Sequence, residues 1–373
     1  MQKLFAAVNK WLAIMDKEAL NIIMAFAVHA SMPGDPLWLL IVNVPGAAKT
    51  ELLRSFNGAT CKGISLVYII DSLSPNTLVS GFVNKNVKGQ TSRDPSQLSL
   101  INDKLLIVKD FSEILSENYG EQKKIYADLR QAYDGYLEKS YGSGAGKRGG
   151  RAHFGLIAAA TPIIDNFSVL TQQLGERFLR LRMIINPDDA VSKASEVAGH
   201  EVEMRTELNE VFKSALEDYV SNLDIDKVLG FPVPEDEIQA LAKLVALLRT
   251  EVLRDRSRHV KIPPEPEIAT RLVKQLKALY RMSHVIKGQG DYGMVLRVAR
   301  DSVPIYRLRI VNCLNDGNPK SIDDIASACG IPRRTCVERL EDMEVIKALQ
   351  AVGVPTEYQL SDRTYLLLLQ GGF

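Results

Sequence analysis

Apolar residues in the first thirty positions recur at helical spacing (Leu4, Phe5, Val8, Trp11, Leu12, Met15), and the stretch SMPGDP then breaks the pattern. The spacing predicts a helical segment over 1–35. From 36 to about 190 the pattern changes to short apolar runs at 37–42, 64–70, 105–108, 154–160 and 178–185, separated by helical stretches. Runs that are apolar at every position suit strands covered on both faces, which predicts a parallel sheet in an α/β core. Over 191–300 the strands give way to long amphipathic helices, interrupted by GFPVPEDE and KIPPEPE, so an all-helical domain is expected there. Over 301–373 a helix at 305–314 is followed by SIDDIASACG, IPRRTCVERLEDMEV and the strand-like KALQAV and EYQL. Two helices joined by a glycine-containing turn, then a hairpin, are the layout of a winged helix-turn-helix.

Composition narrows the partners. With 46 Lys+Arg against 45 Asp+Glu, the chain of 373 residues has no global charge that announces a nucleic acid, so any such contact is local. Cys61, Cys313, Cys329 and Cys336 lack C-x-x-C spacing and have no histidine at ligand spacing. A reduced, cytoplasmic setting without structural zinc is the expectation, and Cys329 and Cys336 read as small core residues. No apolar run reaches membrane-spanning length, and with charges at Lys3, Lys10, Asp16, Lys17 and Glu18 neither a signal peptide nor a membrane anchor is expected.

The chemistry concentrates in NVPGAAKTE, residues 43–51, directly after the first apolar run. The common phosphate-loop pattern, G-x-x-x-x-G-K-[ST], has glycine where this chain has Asn43 and Ala48. The working parts remain. Gly46 allows the sharp turn, Lys49 reaches β- and γ-phosphates, and Thr50 offers a hydroxyl to Mg²⁺. Alanine before the lysine adds only a methyl, provided its φ is negative.

These substitutions resemble a family mark. The MCM helicases, a branch of the AAA+ ATPases, carry G-D-P-G-x-A-K-[ST] here, and NVPGAAKT shares their Pro-Gly (Pro45, Gly46) and Ala-Lys (Ala48, Lys49). LLIVKDFSEIL resembles their acidic strand, GLIAAATP the sensor strand, with Thr161 in place of asparagine, and LGERFLRL the arginine-finger segment, with Arg177. KQLKALYRM resembles the sensor-two helix and puts Lys274 in the arginine position. The resemblance covers roughly 36–182 and continues weakly beyond it. It implies ATP and Mg²⁺ as cofactors and contacts to the nucleotide from Asn43, Pro45, Gly46, Ala47, Ala48, Lys49, Thr50, Glu51 and Lys274. Thr50 and Asp110 would hold the metal, and Asp110, Thr161 and Arg177 would be catalytic. Two frames stay open on the acidic strand: either Lys109 falls on the metal-ordering position and Asp110 on the base, or Asp110 orders the metal and Glu113 or another carboxylate is the base. Only about 35 residues precede the core, so a minimal relative without the amino-terminal DNA-binding domain is expected.

Nucleic acid is expected at three places. YLEKSYGSGAGKRGGRAHF, residues 136–154, occupies the position of a hairpin that points into the MCM central pore. Its glycines, with Lys147, Arg148 and Arg151, suit a grip on single-stranded backbone phosphate; the plain alternative is a solvated loop. Residues 74–89, with Lys85 and Lys88, occupy the place of a second pore insertion. In IPRRTCVERL, Arg333 and Arg334 begin the recognition helix. The whole reads as an AAA+ P-loop core with a parallel sheet, a helical lid and a winged helix: an ATP-driven DNA motor. A finger that serves its neighbour demands a closed homo-oligomer, a hexamer. The competing readings are an ATP-controlled remodeller recruited to DNA by its winged helix, and a DNA-binding protein with a degenerate ATPase site.

Overall fold

The computed structural model describes residues 1–75, 77–79, 98–141, 146–167 and 176–373, and it divides into two compact units. The first comprises Met1–Ile164, Glu176–Phe231 and Arg281–Asp291; the second comprises Asp165–Gly175, Pro232–Tyr280 and Tyr292–Phe373. The helical stretch expected over 191–300 is therefore shared between them.

Eleven strands are described: β1 (Trp38–Val42), β2 (Thr60–Cys61), β3 (Ile64–Ser65), β4 (Val67–Ile70), β5 (Leu105–Val108), β6 (Tyr136–Tyr141), β7 (Gly146–Arg151), β8 (Gly155–Ala160), β9 (Phe178–Arg182), β10 (Leu349–Val352) and β11 (Glu357–Leu360). The first unit is built on a five-stranded parallel sheet in the order β4-β5-β8-β1-β9. Every residue of β1, β5 and β8 is buried, as their unbroken apolar runs require. The single run expected at 64–70 is two elements: Ile64–Ser65 pairs antiparallel with Thr60–Cys61, and only Val67–Ile70 joins the sheet.

Trp38 ties the sheet centre together. It is fully buried, its indole N–H donates to the Phe154 carbonyl at 2.9 Å, and its ring lies against Tyr133, Phe154 and Phe178. The segment expected as a single helical prefix is two helices, Gln2–Leu12 and Lys17–His29. The second packs on β1 and β8 and is buried along most of its length, so it belongs to the core. Its close approach explains Gly155, where a Cβ would stand 2.7 Å from the Cβ of Ala30.

In the second unit the helices Ile305–Leu314, Ile322–Cys329 and Arg333–Val345 precede the antiparallel β10–β11 pair. A further helix, Asp362–Gln370, follows and packs on Glu235–Leu248. Arg307 is buried and donates to the carbonyls of Leu248 (2.9 Å) and Thr250 (2.5 Å), so a cation closes the carbonyl end of the Glu235–Leu248 helix. Among the described residues no helix is long and apolar enough to cross a membrane.

Candidate functional site at the carboxyl edge of the parallel sheet

Because the five strands run parallel, the residues that follow them gather along one edge: Asn43 to Thr50 after β1, Asp71 after β4, Lys109 to Ser112 after β5, Thr161 after β8 and Met183 after β9. Asn43 joins three strands there. Its N–H donates to the Ala160 carbonyl at 3.2 Å, its side-chain amide donates to the Met183 carbonyl at 2.9 Å, and its side-chain oxygen accepts from the N–H of Val44 at 2.8 Å. Gly46 takes φ +82°, a backbone that an L residue adopts only under strain.

Ala48 takes φ +53°, so the expectation of a negative φ is not met. The left-handed region presses Cβ against the following carbonyl oxygen, which is why glycine is usual at such a residue. The helix Lys49–Arg54 begins immediately afterwards, with no side-chain cap on its first turn.

Lys49 is half-buried, with its ammonium donating to the carbonyls of Asn43 (2.7 Å) and Val44 (2.8 Å). Burial lowers its pKa from the usual lysine value, and the negative charge of Asp110 partly opposes that shift. Besides carrying a charge, Lys49 thus satisfies two loop carbonyls.

Asp110, Ser112 and Thr161 form one hydrogen-bonded chain. The carboxylate of Asp110 accepts from the N–H of Ser112 at 2.8 Å; the Ser112 hydroxyl lies 3.2 Å from that of Thr161 and accepts from the Thr161 N–H at 2.9 Å. Lys109 has its own partner, forming an ion pair with Asp71 on the neighbouring strand end. Lys109 is thus turned to Asp71, while Asp110 is the carboxylate whose field reaches Lys49. Glu113 is exposed on the turn that follows.

A cavity of about 290 Å³ opens beside the loop, lined by Gly46, Ala47, Ala48 and Glu51, by Trp11 and Leu12, and by residues of 185–205 that include Val197 and Met204. The first helix is fixed as its wall through Glu207, which accepts from the indole N–H of Trp11 at 2.8 Å and from the Lys10 ammonium at 2.6 Å. Those two hydrogen bonds, led by Lys10, hold the Glu207 carboxyl below its usual range. Glu51, on the loop helix, is gripped at two points by Arg205, with Nε and Nη2 at 3.0 and 2.9 Å.

Arg177 is buried. Its Nη2 donates to both carboxylate oxygens of Asp134, at 3.0 and 3.1 Å, and its guanidinium lies 5.6 Å from the centre of the Tyr133 ring. Lys274 is exposed on the helix Thr270–Lys287, in the second unit.

Of the expected DNA contacts, Arg151 forms a two-point ion pair with Asp103, which His153 also joins at 2.9 Å. Lys147 and Arg148 lie on β7 opposite Ser140 and Lys139, with side chains outside the described residues, as are Lys85 and Lys88 altogether. Arg333 and Arg334 are exposed and paired with Asp323 (2.7 Å) and Glu338 (3.3 Å).

Ser112, Asp71, Arg205 and Asp134 were not among the residues singled out by pattern, and Trp11 was read only as part of a helical apolar spacing. Ser112 had a local signal, an Asp followed two residues later by an N–H it can accept. The others meet their partners only through the fold. No family model matches the chain, and no curated protein matches it either.

Proposed function

We propose that this chain is an ATP-hydrolysing AAA+ motor of MCM-like design that assembles as a homo-hexameric ring and moves on DNA. The observation that carries this reading is the edge of the sheet: a loop with Gly46 in the left-handed region runs from the inner strand β1 into a helix, beside the Asp110–Ser112–Thr161 chain on the next two strand ends. Nucleotides in parallel α/β sheets bind outside the carboxyl ends of the strands, and phosphates bind where a strand turns into a helix.

In this scheme Lys49 exchanges its two loop carbonyls for the β- and γ-phosphates, while Asn43, Pro45, Ala47 and Ala48 shape the loop. The Thr50 hydroxyl and Asp110 fit Mg²⁺, which takes one or two protein oxygens and completes its shell with phosphate and water. Bound ATP supplies the phosphoryl group; Thr161, held by Ser112, orients the attacking water. The cavity walled by Trp11 has room for a nucleobase, at the lower end of ligand-pocket volumes of about 300 Å³. Glu51, held by Arg205, lines that cavity together with Gly46, Ala47 and Ala48. Arg177 would reach the γ-phosphate of a neighbouring protomer once Asp134 releases it. The elements of 301–373 form a winged helix. The β6–β7 hairpin, with Lys147, Arg148 and Arg151, tracks a single strand.

The test is ATP turnover by the full chain with and without single-stranded DNA, followed by strand displacement on a forked duplex. Stimulated turnover that is lost in Lys49→Ala is the expected result; no ATP binding at all would overturn the reading. The second reading, a remodeller or regulatory ATPase recruited to DNA, leaves Arg151 in its exposed pair with Asp103 and gives the hairpin no strand to hold. Turnover indifferent to single-stranded DNA would select it.

A further inference from the structure

The segment LRDRSRHVK, residues 253–261, lies outside every site described above, yet the second unit builds it with care. Arg254 pairs with Val260 across a tight antiparallel turn, closed by hydrogen bonds from Asp255 N–H to the His259 carbonyl (2.9 Å) and from Lys261 N–H to the Leu253 carbonyl (2.8 Å). Arg254 anchors the turn at both ends: its Nη1 donates to the Arg258 carbonyl at 2.8 Å and its Nε to Asp342 of the Arg333–Val345 helix at 2.9 Å. Arg258 takes φ +67°, a conformation that costs an L residue about 1–2 kcal/mol and that glycine adopts freely. An arginine held there against its backbone preference points to a use for the side chain.

The placement of that side chain supplies the use. Arg258 reaches Glu338 at 2.7 Å, and Arg334, from the first turn of the same helix, reaches the same carboxylate oxygen at 3.3 Å. Glu338 thus brings two guanidinium groups together at the surface, and Arg258 also meets Glu341 at 3.5 Å, so a phosphate takes Arg258 by displacing these carboxylates. Arg256 and Lys261 are exposed on the same turn.

We propose that this turn and the start of the Arg333–Val345 helix form one contact surface for the sugar-phosphate backbone of duplex DNA, with Arg256, Arg258, Lys261 and Arg334 facing phosphates. The chemistry of the surface selects this partner. Neither 251–262 nor 333–345 contains Phe, Tyr or Trp, so the surface lacks the rings on which unpaired bases stack and the aromatic anchor of a protein hot spot. Clustered guanidinium and ammonium groups without such an anchor suit fixed phosphates. The inference needs neither ATP hydrolysis nor the β6–β7 hairpin.

The experiment measures binding of the full chain, without nucleotide, to a short blunt duplex of mixed sequence over a salt series. Arg256→Ala/Lys261→Ala removes two exposed cations and leaves the Arg254 anchor intact; the slope of log affinity against log salt should fall by about 1.8, at about 0.9 per phosphate. Arg258→Gly relieves the backbone and keeps the turn, so it should lower the slope by about 0.9 without lowering thermal stability. Unchanged slopes in both variants, or no duplex binding by the parent protein, would overturn the proposal. The motor reading fails on a different readout, ATP turnover that ignores single strands, which leaves these slopes untouched.

Discussion

Ala48→Gly tests the geometry of the loop more directly than removal of any charge. Ala48 sits at φ +53° and ψ 13°, where an L residue costs about 1–2 kcal/mol. Glycine is free of that cost but gives the unfolded chain more freedom, worth about 0.4–1 kcal/mol against the fold. The difference predicts that Ala48→Gly stabilises the first unit by about 0.5–1 kcal/mol. Both tryptophans, Trp11 and Trp38, lie in that unit, so fluorescence during urea unfolding reports on the relevant body. Nucleotide affinity should change by no more than about twofold, roughly 0.4 kcal/mol, because the backbone that would cradle phosphate already has the glycine-like angles. Destabilisation by glycine would refute the argument, since it would mean that the residue does not occupy the left-handed region. A turnover gain of about tenfold would show that the methyl obstructs the site, as a damaged loop requires.

Asp110→Asn keeps an acceptor for the Ser112 N–H but loses the charge, so ATP should still bind while hydrolysis falls by about a hundredfold or more; wild-type turnover would remove Asp110 from the mechanism. Arg177→Ala mixed with Lys49→Ala should regain turnover at interfaces that pair an intact loop with an intact arginine, and full activity of assembled Arg177→Ala alone would end the finger assignment. Burial first, and His153 second, push the pKa of His29 from 6.5 down to about 4, so the unfolded chain takes up that proton before the folded one does. Stability from this residue is intact above pH 6.5 and is lost on acidification towards about pH 4, about 3 kcal/mol in all. Unfolding measured across that window should show a flatter profile in His29→Leu, and an identical profile would refute the assignment.

The sheet was legible because buried parallel strands must be apolar at consecutive positions; β5 appears at the expected 105–108, and β1 and β8 each start one residue inside the expected run. The run at 64–70 misled because Leu66 joins two short strands with different partners, which periodicity does not reveal. The first helices carried an amphipathic signal, yet nothing local said that Trp11 would wall a cavity beside Gly46, since its fixing partner Glu207 lies 196 positions away. The same holds for Glu51 with Arg205 and for Arg177 with Asp134. A charged residue is visible in a sequence; the counter-ion that decides its availability belongs to the fold.

That distinction separates the two arginines on which the motor reading depends. Arg151 and Asp103 are both more than half exposed, and such a pair contributes about 0–1 kcal/mol because water and salt screen it. A phosphate offers the same two-point geometry, so a passing strand can take Arg151 from Asp103 at little cost. Arg177 is 7 % exposed, lies against the Tyr133 ring and meets both oxygens of Asp134. Withdrawing it from that setting leaves Asp134 without its cation and gives up the ring contact, about 0.5–2 kcal/mol for the latter alone. On the motor reading, a neighbouring protomer would have to supply a stronger anion than a half-exposed carboxylate, and the γ-phosphate of bound ATP, with its higher charge, would be such a group. On that reading Asp134 would be the restraint that keeps Arg177 from acting before the nucleotide arrives. Asp134→Asn should accordingly raise turnover at subsaturating protein while leaving turnover of fully assembled rings unchanged, and a fall in both would mean that the pair serves only the fold.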